Sequence, residues 1–135
     1  MRNVGLQTIL NTKQTTGVGN IILVDDFRHL NIVIAVTGMG AGDTVTVKIQ
    51  GSMQDVAPDF SASKSVTNLW DYIDAKDMED TTDLDGDTGI TFTDSNDVRQ
   101  FSINVDGLKY LTMSVTTISD TTNSSVTAYA KLYND

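Results

Sequence analysis

The clearest pattern along the chain is alternation of apolar and polar residues with a period of two, which places alternate side chains on opposite faces of a β-strand. In Thr44–Ile49, Val45, Val47 and Ile49 share one face while Thr44, Thr46 and Lys48 share the other. Arg99–Asp106 repeats the pattern, with Phe101, Ile103 and Val105 predicted to face in and Gln100, Ser102 and Asn104 out. Lys109–Thr117 groups Leu111, Met113 and Val115. The last such segment turns Val126, Ala128, Ala130 and Leu132 inward, and Thr127, Tyr129, Lys131 and Tyr133 outward. Two further segments, Asn20–Val24 and Leu30–Thr37, are apolar on both faces and read as central or doubly covered strands. Weaker strands are expected at Val4–Leu10, Leu69–Asp74 and Ile90–Thr93.

Punctuation agrees with this reading. The stretch Gly38-Met39-Gly40-Ala41-Gly42-Asp43 and the pair Asp106-Gly107 sit between alternating runs and are expected to be hairpin connections. The single proline, Pro58, falls in a Ser-, Asp- and Ala-rich stretch from Ser52 to Val66 that reads as an extended crossover loop. Nineteen threonines, many within the alternating runs, fit a pleated surface because of their branching at Cβ. No stretch carries a helical stripe. Eight or nine short strands with no helical connections predict an all-β fold, a single-domain antiparallel β-sandwich of jelly-roll or Greek-key type. Residues 1–19 are expected to form an N-terminal arm or first strand, and residues 20–135 the sandwich domain. An arm of this kind would be free to pair with a neighbouring subunit, contributing little to its own core.

Composition narrows the function. At 135 residues, with 39% hydrophobic and 20% charged residues, the chain fits one water-soluble domain. Its longest apolar stretch, Leu30–Val36, is far too short to cross a bilayer as a helix. The start Met1-Arg2-Asn3-Val4-Gly5 lacks the features of a secretory signal, so synthesis in the cytoplasm is expected. The absence of cysteine rules out disulfides, thiolate zinc sites and cysteine nucleophiles. A formal net charge of −9 argues against nucleic-acid binding, which needs a basic face. Residues 71–106 hold 11 of the 18 acidic groups, so one region of surface is strongly negative.

Candidate chemistry is sparse. His29 is the only histidine, and no serine lies in a G-x-S-x-G elbow, so acid–base and nucleophilic catalysis have little to build on. Paired carboxylates of the glycosidase kind are numerous, but they fall in loop-like sequence with no sign of a desolvated setting. No catalytic residue is assigned, and no cofactor is required. The sharpest motif runs from Asp80 to Gly89, where Asp80, Asp83, Asp85 and Asp87 are candidate calcium ligands because a hard cation takes closely spaced carboxylate oxygens. An EF-hand aligned on Gly86 would need acids at Thr81 and Phe92, and flanking helices, so only a looser calcium loop or a solvated turn is compatible. In Leu69-Trp70-Asp71-Tyr72-Ile73-Asp74, alternation puts Trp70, Tyr72 and Asp74 on one strand face. Trp70 and Tyr72 are candidates for core packing, a protein interface or sugar stacking, and Tyr129 and Tyr133 for a subunit contact.

Taken in series, the phrases Val45-Thr46-Val47-Lys48-Ile49-Gln50-Gly51-Ser52, Asp59-Phe60-Ser61, Asn68-Leu69-Trp70-Asp71-Tyr72, Asp85-Gly86-Asp87-Thr88-Gly89-Ile90, Gly107-Leu108-Lys109-Tyr110-Leu111 and Lys131-Leu132-Tyr133-Asn134-Asp135 resemble small β-rich proteins encoded among the virion genes of tailed bacteriophages. The resemblance spans about residues 20–135 and rests on strand phrases, with no catalytic motif to carry over. It implies an accessory structural protein of the particle, of the capsid-decoration or head-fibre kind. Its expected partners are other virion proteins, the major capsid protein first, and copies of itself, with no nucleic acid and no membrane. Its expected location is the virion. A carbohydrate-binding β-sandwich module is the competing reading.

Overall fold

The computed structural model describes residues 5–133, so Val4 of the expected Val4–Leu10 strand lies outside the described residues. Twelve strands follow along the chain: β1 Gln7–Lys13, β2 Gly17–Val18, β3 Ile22–Leu23, β4 His29–Thr37, β5 Thr44–Ser52, β6 Asp71–Tyr72, β7 Ala75–Asp77, β8 Asp83–Leu84, β9 Ile90–Thr93, β10 Asp97–Asn104, β11 Tyr110–Ile118 and β12 Ser125–Tyr133. No helix occurs among the described residues. The strands form two antiparallel sheets, so the chain is all-β as expected. The first has the order β1-β12-β4-β10-β7-β8; the second has the order β2-β11-β5-β6, with β3 also on β11 and β9 on β5.

Alternation becomes burial. Every aliphatic or aromatic residue expected to face inward on β5, β10, β11 and β12 is at most 2% exposed, and all belong to one apolar core between the sheets. Each of these side chains larger than alanine stabilises the fold by roughly 1.5–3 kcal/mol on leaving water. Strand β4 is central, held by β12 on one side and β10 on the other, with Leu30, Ile32, Ile34 and Val36 buried.

Three expectations are corrected. Gly38–Asp43 and Asp106-Gly107 are not hairpins, because they carry the chain from the first sheet to the second: β4 leads to β5, and β10 leads to β11. These strands pair instead with partners distant in sequence, such as Val36 of β4 with Val126 and Asp97. Asn20–Val24 is not doubly covered. Only Ile22–Leu23 pairs with β11, and Ile21 and Leu23 are 45% and 56% exposed while Ile22 and Val24 turn in. Leu69–Asp74 is not one strand either: β6 ends at Tyr72 in the second sheet and β7 begins at Ala75 in the first.

Two glycines are required by close approach. Gly38 has a φ of +69°, and a Cβ there would fall 1.9 Å from the Asn123 carbonyl oxygen, where two loops meet. A Cβ on Gly86 would fall 2.9 Å from the backbone of Tyr72 and Ile73. Gly86 sits there because its N–H donates to Asp74 Oδ1 at 2.7 Å, tying the Asp-rich turn to the crossing between sheets.

Residues 7–13 lie along β12 of the same chain, with Ile9 and Leu10 each 1% exposed. The outer edge of β1 is closed as well: Asn20 donates its backbone N–H to Ile9 O and its side-chain amide to Thr8 O. A segment expected to contribute little to its own core thus fills part of it. At the other end of the first sheet, Arg99 donates from Nη2 to Asp77 Oδ2 at 2.8 Å and lies over the rings of Phe92 and Phe101. That bond, with a second from the Glu79 N–H, holds the Asp77 carboxyl below its ordinary value of 3.8.

Leu10→Ala should cost about 2–5 kcal/mol in urea-induced unfolding, and deletion of residues 1–14 should leave a chain that does not fold cooperatively. Asp77→Asn should cost roughly 1.5–3 kcal/mol at neutral pH. Because the folded-state pKa of Asp77 is depressed, its contribution is present above the ordinary value of 3.8 and lost as pH falls through the lower folded value. Melting curves of the parent and Asp77→Asn should therefore converge only in strong acid.

Candidate functional site

Between β5 and β6 the chain crosses the outer face of the second sheet, and residues 53–70 are fastened to that face. Pro58 and Phe60 are buried, and Phe60 stands apart from the apolar core between the sheets. Gln50, whose side chain points outward from β5, donates from Nε2 to Phe60 O at 2.9 Å. Asn68 closes the loop on itself: Oδ1 accepts the Asp59 N–H at 2.8 Å, and Nδ2 donates to Asp59 O and Ser63 O. Trp70 Nε1 donates to Ala62 O at 3.0 Å, and the Leu69 N–H donates to Gln54 Oε1. The Ser61 hydroxyl and N–H both donate to Asp59, which lowers the Asp59 pKa.

The fastening brings three aromatic rings together outside the core. Phe60 and Trp70 lie 6.3 Å apart between centroids, and Trp70 meets Tyr72 edge to face at 5.1 Å. Tyr72 is paired with Gln50, and Gln50 with Thr112, forming one row across the outer face. Lys48 Nζ lies 4.8 Å from the Tyr72 centroid, and Lys64 Nζ lies 5.9 Å from Trp70 and 5.7 Å from Tyr72. Lys64 also bonds Asp71 at 2.6 Å; that hydrogen bond raises the pKa of Lys64 and lowers that of Asp71. Both partners are well exposed, so the pair orients the lysine more than it stabilises the fold.

Trp70 and Lys64 stand between two depressions. One, of about 620 Å³, is apolar and is walled by Met53, Val66, Leu69, Trp70, Ile73 and Leu108. Three of its walls are large and open to solvent: Met53 is 73% exposed, Val66 91% and Leu69 50%. The second, of about 470 Å³, is mixed in character and runs from Gln50, Trp70 and Tyr72 past Ser61 and Ser63 to Ser114 and Thr116.

The residues singled out in the sequence fall at three separate places. Trp70 and Tyr72 come together as expected, but Asp74 leaves their face to bind the Gly86 N–H. Tyr129 and Tyr133 lie on the opposite side of the molecule, on the outer face of the first sheet. Tyr129 is 38% exposed, while Tyr133 stacks on His29 at 5.5 Å and donates to Asn31 Oδ1. Asp80, Asp83, Asp85 and Asp87 are all exposed. Asp80 accepts the Thr82 N–H, Asp85 accepts the Asp87 N–H, and Asp83 faces Lys76 at 3.9 Å. Among the described residues, no three acidic or histidine side chains gather in an arrangement that could hold a metal. Phe60, Lys64, Asn68 and Gln50 were not singled out. The signal for them was a lone aromatic within a polar loop, and an amide at an outward strand position.

No family model matches the chain, and no curated protein matches it. Solved structures do share its fold. The crystal structure of SPBc2 prophage-derived protein YomS superposes with a TM-score of 0.60 over 95% of this chain and 90% of that one, at 14% identity. The crystal structure of PBSX exported protein XepA gives a TM-score of 0.66 at 15% identity, over 95% of this chain and 37% of that one. The chain thus corresponds to well under half of XepA. At these identities the likeness is one of fold.

Asn68→Ala should loosen the closed loop of residues 53–70 while leaving the sandwich intact. The loss should be about 1 kcal/mol for each of the three bonds to Asp59 and Ser63. The emission of Trp70, the sole tryptophan, should shift to the red with the far-ultraviolet spectrum unchanged.

Proposed function

We propose that the chain is a non-enzymatic assembly protein of a phage particle, an accessory protein that docks onto other virion proteins through the loop-covered outer face of its second sheet. The observation that carries this reading is the apolar depression beside Trp70. Met53, Val66 and Leu69 are large, exposed and adjacent around it, with Val56 73% exposed on the same loop. A solvated surface tolerates such residues singly, but a contiguous group rimmed by Lys64 and Asp71 is the makeup of a protein contact. The structural neighbours are phage-derived proteins, which supports a phage setting for the same fold. The strand edges favour docking through a face: Asn20 bonds two carbonyls of β1, the outermost strands β2, β6 and β8 are two residues each, and β9 is four. The partner in this reading is a shell protein, the major capsid protein first, and the net charge of −9 keeps nucleic acid out of the contact.

The double variant Val66→Asp, Leu69→Asp should fold with the parent's melting temperature, because both side chains are exposed, and should lose co-sedimentation with particles that lack the native protein. Retained co-sedimentation by the folded double variant would refute the docking face.

A further inference from the structure

The second depression differs from the first in chemistry. Its floor is the cross-strand pair Tyr72 and Gln50 together with Ser114 of β11. Its walls are the rings of Trp70 and Tyr72 on one side and Ser61 and Ser63 of the loop on another, and Thr116 stands at the far end. Gln50 is only 2% exposed. Its amide cannot be turned to satisfy both ends, because Nε2 is committed to Phe60 O, and its Oε1 is the one buried side-chain oxygen or nitrogen without a hydrogen-bond partner among the described residues. A buried acceptor left in that state costs about 1–3 kcal/mol and lies beneath the groove, adding to the polar character of its floor.

We infer that this groove is a binding site for a neutral, hydroxyl-rich ligand, a pyranose unit of a surface glycan. A sugar ring presents an apolar C–H face and a rim of hydroxyls. The edge-to-face pair of Trp70 and Tyr72 supplies the surface for the first, while the hydroxyls of Ser61, Ser63, Ser114 and Thr116 supply partners for the second. Neutral ligands fit better than charged ones: Lys64, the cation that lines the groove, is already paired with Asp71 at 2.6 Å, Lys48 lies over the Tyr72 ring outside the groove lining, and the chain as a whole carries −9. The groove of about 470 Å³ has room for one or two such rings. It lies on the other side of Trp70 from the apolar depression; Trp70 and Lys64 border both, but Tyr72, Ser114 and Thr116 line this groove alone and Met53, Val66 and Leu69 the other alone.

Trp70 makes the test direct, because the only tryptophan of the chain forms a wall of the groove. The full chain is applied to an array of bacterial and eukaryotic glycans. It is also titrated with maltotetraose, cellotetraose and chitotetraose while Trp70 emission is followed. At least one glycan should bind and perturb that emission. Tyr72→Ala, which removes a wall, and Thr116→Arg, which fills the groove from an exposed position without touching the core, should each weaken binding by about tenfold or more. Val66→Asp, Leu69→Asp should bind as the parent does, which separates this site from the docking face. No binding to any arrayed glycan, or binding that survives both Tyr72→Ala and Thr116→Arg, would overturn the assignment.

Discussion

Of the long strands, β1, β4, β10 and β11 each hand the chain to the opposite sheet, and most of the structure follows from that constraint. β4, β10 and β12 belong to one sheet, and β5 and β11, which lie between them in sequence, belong to the other. Strands next to each other in sequence therefore seldom pair, and the major ladders join distant segments: β12 with β4, β10 with β4, β11 with β5 and β1 with β12. Such a fold closes only when both ends of the chain are in place, which is why Ile9 and Leu10 of β1 are as deeply buried as any residue of the central strands. It also belongs to the class whose non-local pairing makes folding slow.

The same constraint leaves one connection free to do something else. Where the chain stays in the second sheet, from β5 to β6, it needs no short arch across the sandwich edge, and it lays residues 53–70 over the outer face instead. Asn68, Gln50 and the Trp70 indole fasten that loop through five hydrogen bonds, all to backbone groups that a solvated loop would leave to water. The result is a small aromatic cluster outside the core, with an apolar hollow on one side of Trp70 and a polar groove on the other. The acidic stretch near residues 80–87 contributes turns, its carboxylates accepting backbone N–H bonds within their own loop.

The fold class and the inward faces were legible because period-two alternation reports a strand with one buried face, and four such runs carry most of the core. Pairing was not legible. A glycine-rich turn such as Gly38–Asp43 serves a hairpin and a sheet-to-sheet arch equally well, and nothing local distinguishes them. Asn20–Val24 misled for a related reason, since five apolar or small residues give no sign that only two of them pair and that Ile21 and Leu23 face solvent. Of the site, Trp70 and Tyr72 were visible as an aromatic pair at strand spacing. Gln50, Phe60 and Lys64 were not, because the loop that unites them with the pair is held by side-chain bonds to backbone across 8 to 10 residues, a relation that no periodicity records.

In the proposed assembly the loop-covered outer face of the second sheet is the working surface of the molecule, and the outer face of the first sheet, with Tyr129, is not. Electron microscopy of the native particle at side-chain resolution tests it most directly. Density for this sandwich is expected with Met53, Val66 and Leu69 against a neighbouring protein and with Tyr129 facing solvent. A particle in which the Tyr129 face makes the contact and residues 53–70 face outward with no neighbour, or one in which the sandwich is absent altogether, would contradict it.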